Sequence, residues 1–291
     1  MPKYFYIETP KNFSFEATLF SHGWSQLLPF EVNREDLSLR YIFDVAGTPA
    51  AARLSEANGR LEIEIADERL NQAASDKILR DVRHILRLDD DLRKFYQTTE
   101  AEKRLAWIRK TKAGRLLRSP TVWEDLVKTI CTTNCSWALT KNMTANLVNK
   151  LGTANAYGKR AFPTAEQMAA VSEEFYKNEI RAGYRSAYFL ELAEKAASGK
   201  INPEIWLNSE LPTKELKREM KSVKGVGNYA AENLLKLVGR YDGLALDSML
   251  RARFYEKHNG GEICGDAEIE GFYQPFGDWR GLTIWCDLSG K

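Results

Sequence analysis

The sequence predicts an α+β fold, with an antiparallel sheet near the N-terminus and a mostly helical body behind it. Two observations carry that expectation. Segments 37–46, 50–55 and 60–66 are strand-like and are separated by Gly47-Thr48-Pro49 and Asn58-Gly59, both turn signals. From residue 74 onward, apolar residues recur instead every three or four positions, the helical period. The change of period divides the chain into an N-terminal mixed α/β domain, 1–95, and a helical region, 96–291.

Each element follows from its own pattern. Leu61-Glu62-Ile63-Glu64-Ile65 alternates apolar with acidic, so the sheet has one buried and one wet face. The aromatic-rich opening (Phe13, Phe15, Leu19, Phe20, Trp24, Leu27, Leu28, Phe30) is expected to pack that sheet against helices. Residues 74–88 carry Ile78, Val82, Ile85 and Leu86 at helical spacing, and 92–96 continues after Asp89-Asp90-Asp91. Three adjacent aspartates on a helix would point in different directions, so they read as caps and a solvated face rather than a metal site. Residues 102–118 read as a basic helix with Leu105, Trp107, Ile108, Leu116 and Leu117 interspersed. Ser119-Pro120 is a helix start, and Thr121-Val122-Trp123-Glu124 a second one two residues on. Val122, Trp123, Leu126, Val127 and Ile130 form a buried stripe that runs into the polar break 131–135. Gly183-Tyr184-Arg185 opens a helix over 187–197, and 272–288 reads as a last helix closing the body.

Net charge is only +2, but it is distributed unevenly. Segments 101–160 and 214–257 carry +9 and +4, whereas 1–100, 161–213 and 258–291 carry −4, −3 and −4. Basic charge gathered on particular segments is the footprint of a polyanion partner, although a solvated helix face gives the same count. No apolar run approaches the roughly 18 residues of a membrane span, and the opening thirteen residues lack a signal-peptide core. Cys131, Cys135, Cys264 and Cys286 have neither disulfide-framework nor zinc or iron–sulfur spacing. A reducing compartment follows: cytoplasm or nucleoid, or the nucleus in a eukaryote. His22, His84 and His258 are isolated from one another and fit no hydrolase or metal pattern.

The most informative stretch is 216–253. Leu216, Met220 and Val223 mark the apolar stripe of a basic helix, which ends at Lys224-Gly225-Val226-Gly227. A second helix opens at Asn228, with Ala230, Ala231, Leu234, Leu235 and Val238 on one face. Helix, Gly-Val-Gly, helix is a helix–hairpin–helix, whose turn amides and second N-terminus form a phosphate cradle. Eighteen residues after Tyr229, the chain presents Asp247 at the start of a third helix.

These residues resemble the helix–hairpin–helix/Gly-Pro-Asp superfamily of DNA glycosylases, through GVGNYAAENLL followed by LALDSMLRARF. SPTVWEDLVKTICTTN and AGYRSAYFLELA resemble segments of the 8-oxoguanine and 3-methyladenine glycosylase II branches. The likeness covers 100–291 well and 1–95 weakly, and Lys224 replaces the proline usual before the Gly-Val-Gly. It implies a helical glycosylase body behind an antiparallel sheet. It implies Asp247 as the catalytic carboxylate, a role compatible with capping the helix that follows. It implies DNA contacts from Lys224, Gly225, Val226, Gly227, Asn228, Arg185 and Arg251. Asn134 falls where a side chain fills the gap left by an extruded base, with helix capping the alternative. Tyr229 and Trp285 are candidates for the base pocket, and the aromatic opening a lesser one; Tyr184 reads as core. The expected partner is duplex DNA containing a damaged base, bound by a monomer away from membranes. No cofactor or metal is expected, beyond a monovalent cation at the hairpin.

The resemblance also bears on chemistry. Chain-cleaving members carry a lysine two residues after the second hairpin glycine, where this chain has Tyr229. A phenol forms no imine, so the expectation is hydrolysis to an abasic site without lyase activity. An aromatic residue there matches the alkylation-type enzymes. Ile284 and Leu288 align where 8-oxoguanine enzymes carry the glutamine and phenylalanine of their pocket. Alkylated purines such as 3-methyladenine are therefore the expected substrate, 8-oxoguanine the runner-up, and a non-catalytic hairpin DNA-binding protein the further alternative.

Overall fold

Alternating side chains form a sheet only when one face finds apolar cover, and here they do. The computed structural model describes residues 2–66 and 70–289. Strands β1 (Lys3–Glu8), β2 (Glu31–Asn33), β3 (Ser38–Val45), β4 (Thr48–Ala57) and β5 (Arg60–Ile65) pair antiparallel in the order β1-β5-β4-β3-β2. Leu61, Ile63 and Ile65 point to one face and are fully buried, while Glu62 and Glu64 point to the other. Helix α1 (Phe15–Leu19) and α2 (Gln72–Ile85) cover the apolar face, with Phe13, Phe15, Leu27, Ile78 and Val82 in the shared core. The segments expected as strands became β3, β4 and β5. Edge strands β1 and β2 went unanticipated: Tyr4 and Tyr6 of β1 are aromatic yet half exposed or more, which hides the alternation.

The helical body comprises α3 (Arg93–Glu100), α4 (Ala106–Lys110), α5 (Val122–Thr132), α6 (Trp137–Leu151), α7 (Ala165–Ala169), α8 (Glu173–Phe175), α9 (Ser186–Ala197), α10 (Thr213–Met220), α11 (Asn228–Leu237), α12 (Ser248–His258), α13 (Asp266–Tyr273) and α14 (Arg280–Ser289). One core joins α5, α6, α9, α10 and α11 through Leu126, Ile130, Leu147, Phe189, Met220 and Leu234. A second joins α3, α4 and α12 to α14 through Phe95, Ile108, Phe254, Tyr273 and Leu282. Among the described residues, no helix is long and apolar enough to cross a membrane.

Four expectations are corrected. Residues 102–118 are not one helix: a short 3-10 turn and α4 end at Lys110, and the chain then runs irregularly to Thr121. Here Arg115 donates to the Arg87 and Asp90 carbonyls, and Arg118 to the His84 and Leu237 carbonyls, so both guanidiniums satisfy carbonyls at or just past helix ends inside the protein. Helix α5 takes its start from Thr121, whose hydroxyl accepts from the Glu124 amide, rather than from Ser119-Pro120. The final segment splits into α13 and α14, because Gly277 turns the backbone to φ 53°, outside the helical region. The three aspartates lie in a turn between α2 and α3, not on a helix, and diverge to Arg83, Arg87 and Arg93.

Candidate active site

The hairpin is built as its sequence requires. Val223 closes α10 with its amide on the Met220 carbonyl, and Val226 donates back to Val223, so 223–226 is a tight turn. Gly225 sits at φ 91°, where a side chain is strained, and an added Cβ there would come within 2.9 Å of Tyr188. Gly227 is extended and faces open space: a Cβ there would meet nothing within 4 Å. It is the N-cap of α11, so the free amides and positive end of that helix open beside Lys224 and Asn228. Lys224 is half exposed and leans on Glu191 at 3.3 Å and over the Tyr188 ring.

Helix α11 carries three polar residues on one face: Tyr229, Asn233 and Lys236, spaced by four and three. All three line one cavity of about 1200 Å³, together with hairpin residues 224–228, Asn134, Asp247 and Trp285. Most of the residues singled out in the sequence thus converge on one space. Asp247 is the N-cap of α12, its Oδ1 accepting the Leu250 amide at 2.7 Å, and stays part-exposed on the cavity wall. Burial first, and the neighbouring Asp247 carboxylate second, push the Tyr229 phenol up to about 12. Two side chains of α11 hold the loop that delivers Asp247. Glu232 accepts the Ala245 amide and also pairs with Lys217 of α10, and Lys236 Nζ donates to the Leu244 carbonyl at 2.9 Å.

Asn134 stands exposed at the mouth, at φ 46° in the left-handed region that Asn tolerates better than most residues. Its amide reaches the Tyr184 hydroxyl at 3.5 Å. Tyr184 is 52% exposed and lines the cavity, so its assignment to the core is corrected. Arg185 lies behind Tyr184 instead of at the mouth. It is buried, and its Nε donates to the Ile130 carbonyl and Thr133 hydroxyl, which braces the loop bearing Asn134 from behind. Arg251 lies outside the cavity and is engaged by Asp266 through two bonds of 2.7 and 2.8 Å. Ile284 and Leu288 are in the core; the residue of α14 that reaches the cavity is Trp285, its Nε1 tied to the Ser21 carbonyl.

Among the cavity residues that escaped the sequence reading, three stand out. His22 comes from the sheet-bearing N-terminal part of the chain, 4.9 Å from the Trp24 ring, and donates from Nε2 to the Leu117 carbonyl. Burial lowers it to about 4, so the ring is neutral, with Nδ1 left as an acceptor. Trp137 opens α6 and anchors its indole N–H on Gln26. Lys236 is 2% exposed, and burial lowers its ammonium to about 8. The seven-residue step from Tyr229 to Lys236 was the signal that could have found it, because it places both on one helix face.

No protein-family model matches the chain. An N-glycosylase/DNA lyase of Saccharomyces cerevisiae is 23% identical over 170 residues, a match covering 54% of this chain and 45% of that protein. The chain thus spans about half the length of the curated relative it matches. A 3-methyladenine DNA-glycosylase from Archaeoglobus fulgidus superposes with TM-score 0.78 at 19% identity, covering 98% of this chain and 97% of the other. An 8-oxoguanine glycosylase/lyase from Clostridium acetobutylicum gives 0.75 at 16% identity over 98% and 96%. The same protein bound to duplex DNA with cytosine opposite 8-oxoguanine gives 0.73 at 15%, over the same shares.

Proposed function

We propose that this chain, whose fold is that of the helix–hairpin–helix/Gly-Pro-Asp DNA glycosylases, hydrolyses the base–sugar bond of a damaged nucleotide flipped out of duplex DNA. The observation that supports it most is the convergence of a phosphate-binding hairpin, a part-exposed carboxylate and an aromatic-walled cavity in one place. A pure DNA binder needs the first and not the other two.

The chemistry follows from the positions. Hairpin amides and Lys224 hold the backbone of the strand, a sequence-independent contact. The nucleotide leaves the stack and Asn134 occupies the gap. The base enters between Trp24, Trp137, Tyr229 and Trp285, whose faces stack on any base. Bond cleavage builds positive charge on the sugar, and Asp247, aimed by its bond to the Leu250 amide, stabilises that charge and orients the attacking water. Tyr229 stands where an amine would be needed for imine chemistry, which favours simple hydrolysis. A monovalent cation held by hairpin carbonyls would strengthen the phosphate contact; no step depends on it.

Two base classes fit the aromatic lining. N3- and N7-alkylated purines stack well through their charge and leave readily; 8-oxoguanine is the second reading. Stacking alone does not rank them. The proposal is tested by incubating the protein with duplexes that each carry one lesion, and scoring free base and abasic sites. Release of at least one damaged base is expected. Tight binding with no base released from any duplex overturns catalysis and leaves a hairpin DNA-binding protein.

A further inference from the structure

The glycosylase mechanism above makes no use of Lys236, which is the least expected group in the cavity. A lysine ammonium is seldom buried without a carboxylate in contact, because desolvation costs several kcal/mol. Lys236 Nζ donates to the Leu244 carbonyl at 2.9 Å and lies 5.8 Å from the centroid of the Trp285 ring. A carbonyl takes one of its three protons and the ring is a diffuse acceptor, so donor capacity remains. The residue lies seven positions beyond Tyr229 on the same face of α11, about 10 Å further along the helix axis. Tyr229 stands beside Asp247, at the level where the sugar must sit, which places Lys236 at the level of the base.

Charge around it does not cancel this. Glu232, on its own helix, is already shared between Lys217 and the Ala245 amide. The Asp247 carboxylate of α12 lines the same cavity and acts on Lys236 from the sugar side, and the Cys286 thiol of α14 is pushed up to about 12 by burial, so it is uncharged. His22 is neutral, as described above. At the level of the base, the wall therefore holds one cation in a desolvated setting, with its nearest cavity carboxylate on the sugar side.

From this placement we infer that Lys236 determines substrate class. Its ammonium donates to an acceptor on the edge of the extruded base and repels bases that carry positive charge, so the cavity selects neutral bases presenting a carbonyl oxygen over alkylated purinium cations. This rests on the glycosylase reading and reverses the order expected from the sequence, because like charges in a low-dielectric wall outweigh a stacking gain. The Leu244 contact gives Lys236 a structural task as well, so the test must read something that a loosened Asp247 loop would not move.

The ratio of two excision rates in one preparation does this, since a general loss of activity cancels. We would measure single-turnover release from duplexes carrying 8-oxoguanine opposite cytosine and 7-methylguanine opposite cytosine, at pH 6.5. Both bases present the same O6 edge, and only the second is cationic. Wild type should favour 8-oxoguanine relative to Lys236→Met, with the ratio falling about tenfold or more in the variant. Lys236→Arg, which keeps the charge, should retain the bias. In case the variants do not fold, affinity of the Asp247→Asn protein, with Lys236 intact, should be about tenfold tighter for the 8-oxoguanine duplex. An unchanged ratio in a folded Lys236→Met protein, or equal affinity for the two duplexes, overturns the inference. Borohydride trapping of DNA that disappears in Lys236→Met also overturns it, by placing the amine at the sugar. Release of neither base, from a protein that does release another lesion, sinks the inference and spares the glycosylase reading; release of no base from any duplex sinks both.

Discussion

Two groups of cations from the basic segments of this chain look alike in sequence and sit differently in space: those of the hairpin and three from the segment before it. In 214–257, Lys224, Asn228 and the hairpin amides face outward on the rim of the cavity. In 101–160, which carries more positive charge, Arg115, Arg118 and Lys128 turn inward and are all buried. Their partners are internal: carbonyls at the ends of α2 and α11 for the arginines, and Glu124 at 2.6 Å for Lys128, with the Tyr41 hydroxyl on the same carboxylate. Arg87 joins them, capping the Lys236 and Leu237 carbonyls while paired with Asp90. The hairpin group stays open to solvent, and the three buried cations tie the sheet to the hairpin helices. A net-charge count reports both as the same thing.

Mutations should separate the two, and the largest effect belongs to the carboxylate beside the outward segment. Asp247→Asn should lower single-turnover base release by about a thousandfold, with duplex affinity equal or slightly raised. Excision near the wild-type rate would reduce Asp247 to a helix cap. Next comes the inward segment. Arg118→Ala leaves Asp90 and two helix-end carbonyls less satisfied, and should cost about 3 kcal/mol in urea unfolding. The folded fraction should bind DNA normally; a specific loss of affinity with unchanged stability would move Arg118 to the interface.

The hairpin glycines sharpen the contrast within the outward segment. Gly227→Ala places a methyl in open space where a phosphate would come, so affinity for any duplex should fall about tenfold while stability holds. Gly225→Ala should lose stability as well, from its positive φ and the approach to Tyr188. If Gly227→Ala binds DNA as well as wild type, the hairpin is not the contact. The smallest effect is expected for Lys224→Ala, a few-fold weaker binding with the salt slope reduced by about one. Its partner Glu191 is already drawn by Lys195, so no buried charge is stranded.

What was legible beforehand follows the range of the interactions involved. The hairpin and the capping role of Asp247 are local, written in glycine spacing and a helix start, and they could be read directly. So could β3 to β5, where alternation and turn residues agree. The burial of Arg118 and Arg185 was not legible, because it depends on carbonyls that only the folded chain brings near; from sequence, each is simply an arginine beside a motif. His22 and Trp24 reach the cavity from about a hundred residues before its other walls in the chain, and nothing local announces that. Lys236 was legible in principle, by its step of seven from Tyr229, but the eye follows the apolar face of such a helix.

The central claim is that the carboxylate, and no amine, performs the chemistry: Asp247 acts on the sugar while Tyr229 occupies the imine position. It is tested most directly by one reaction under borohydride, with a duplex whose lesion the protein releases, counting free base, strand breaks and covalent adducts together. The account predicts one abasic site per base released, an unbroken strand and no trapped protein. Strand scission accompanied by a trapped protein–DNA adduct would contradict it, and would require an amine in the cavity to reach the sugar.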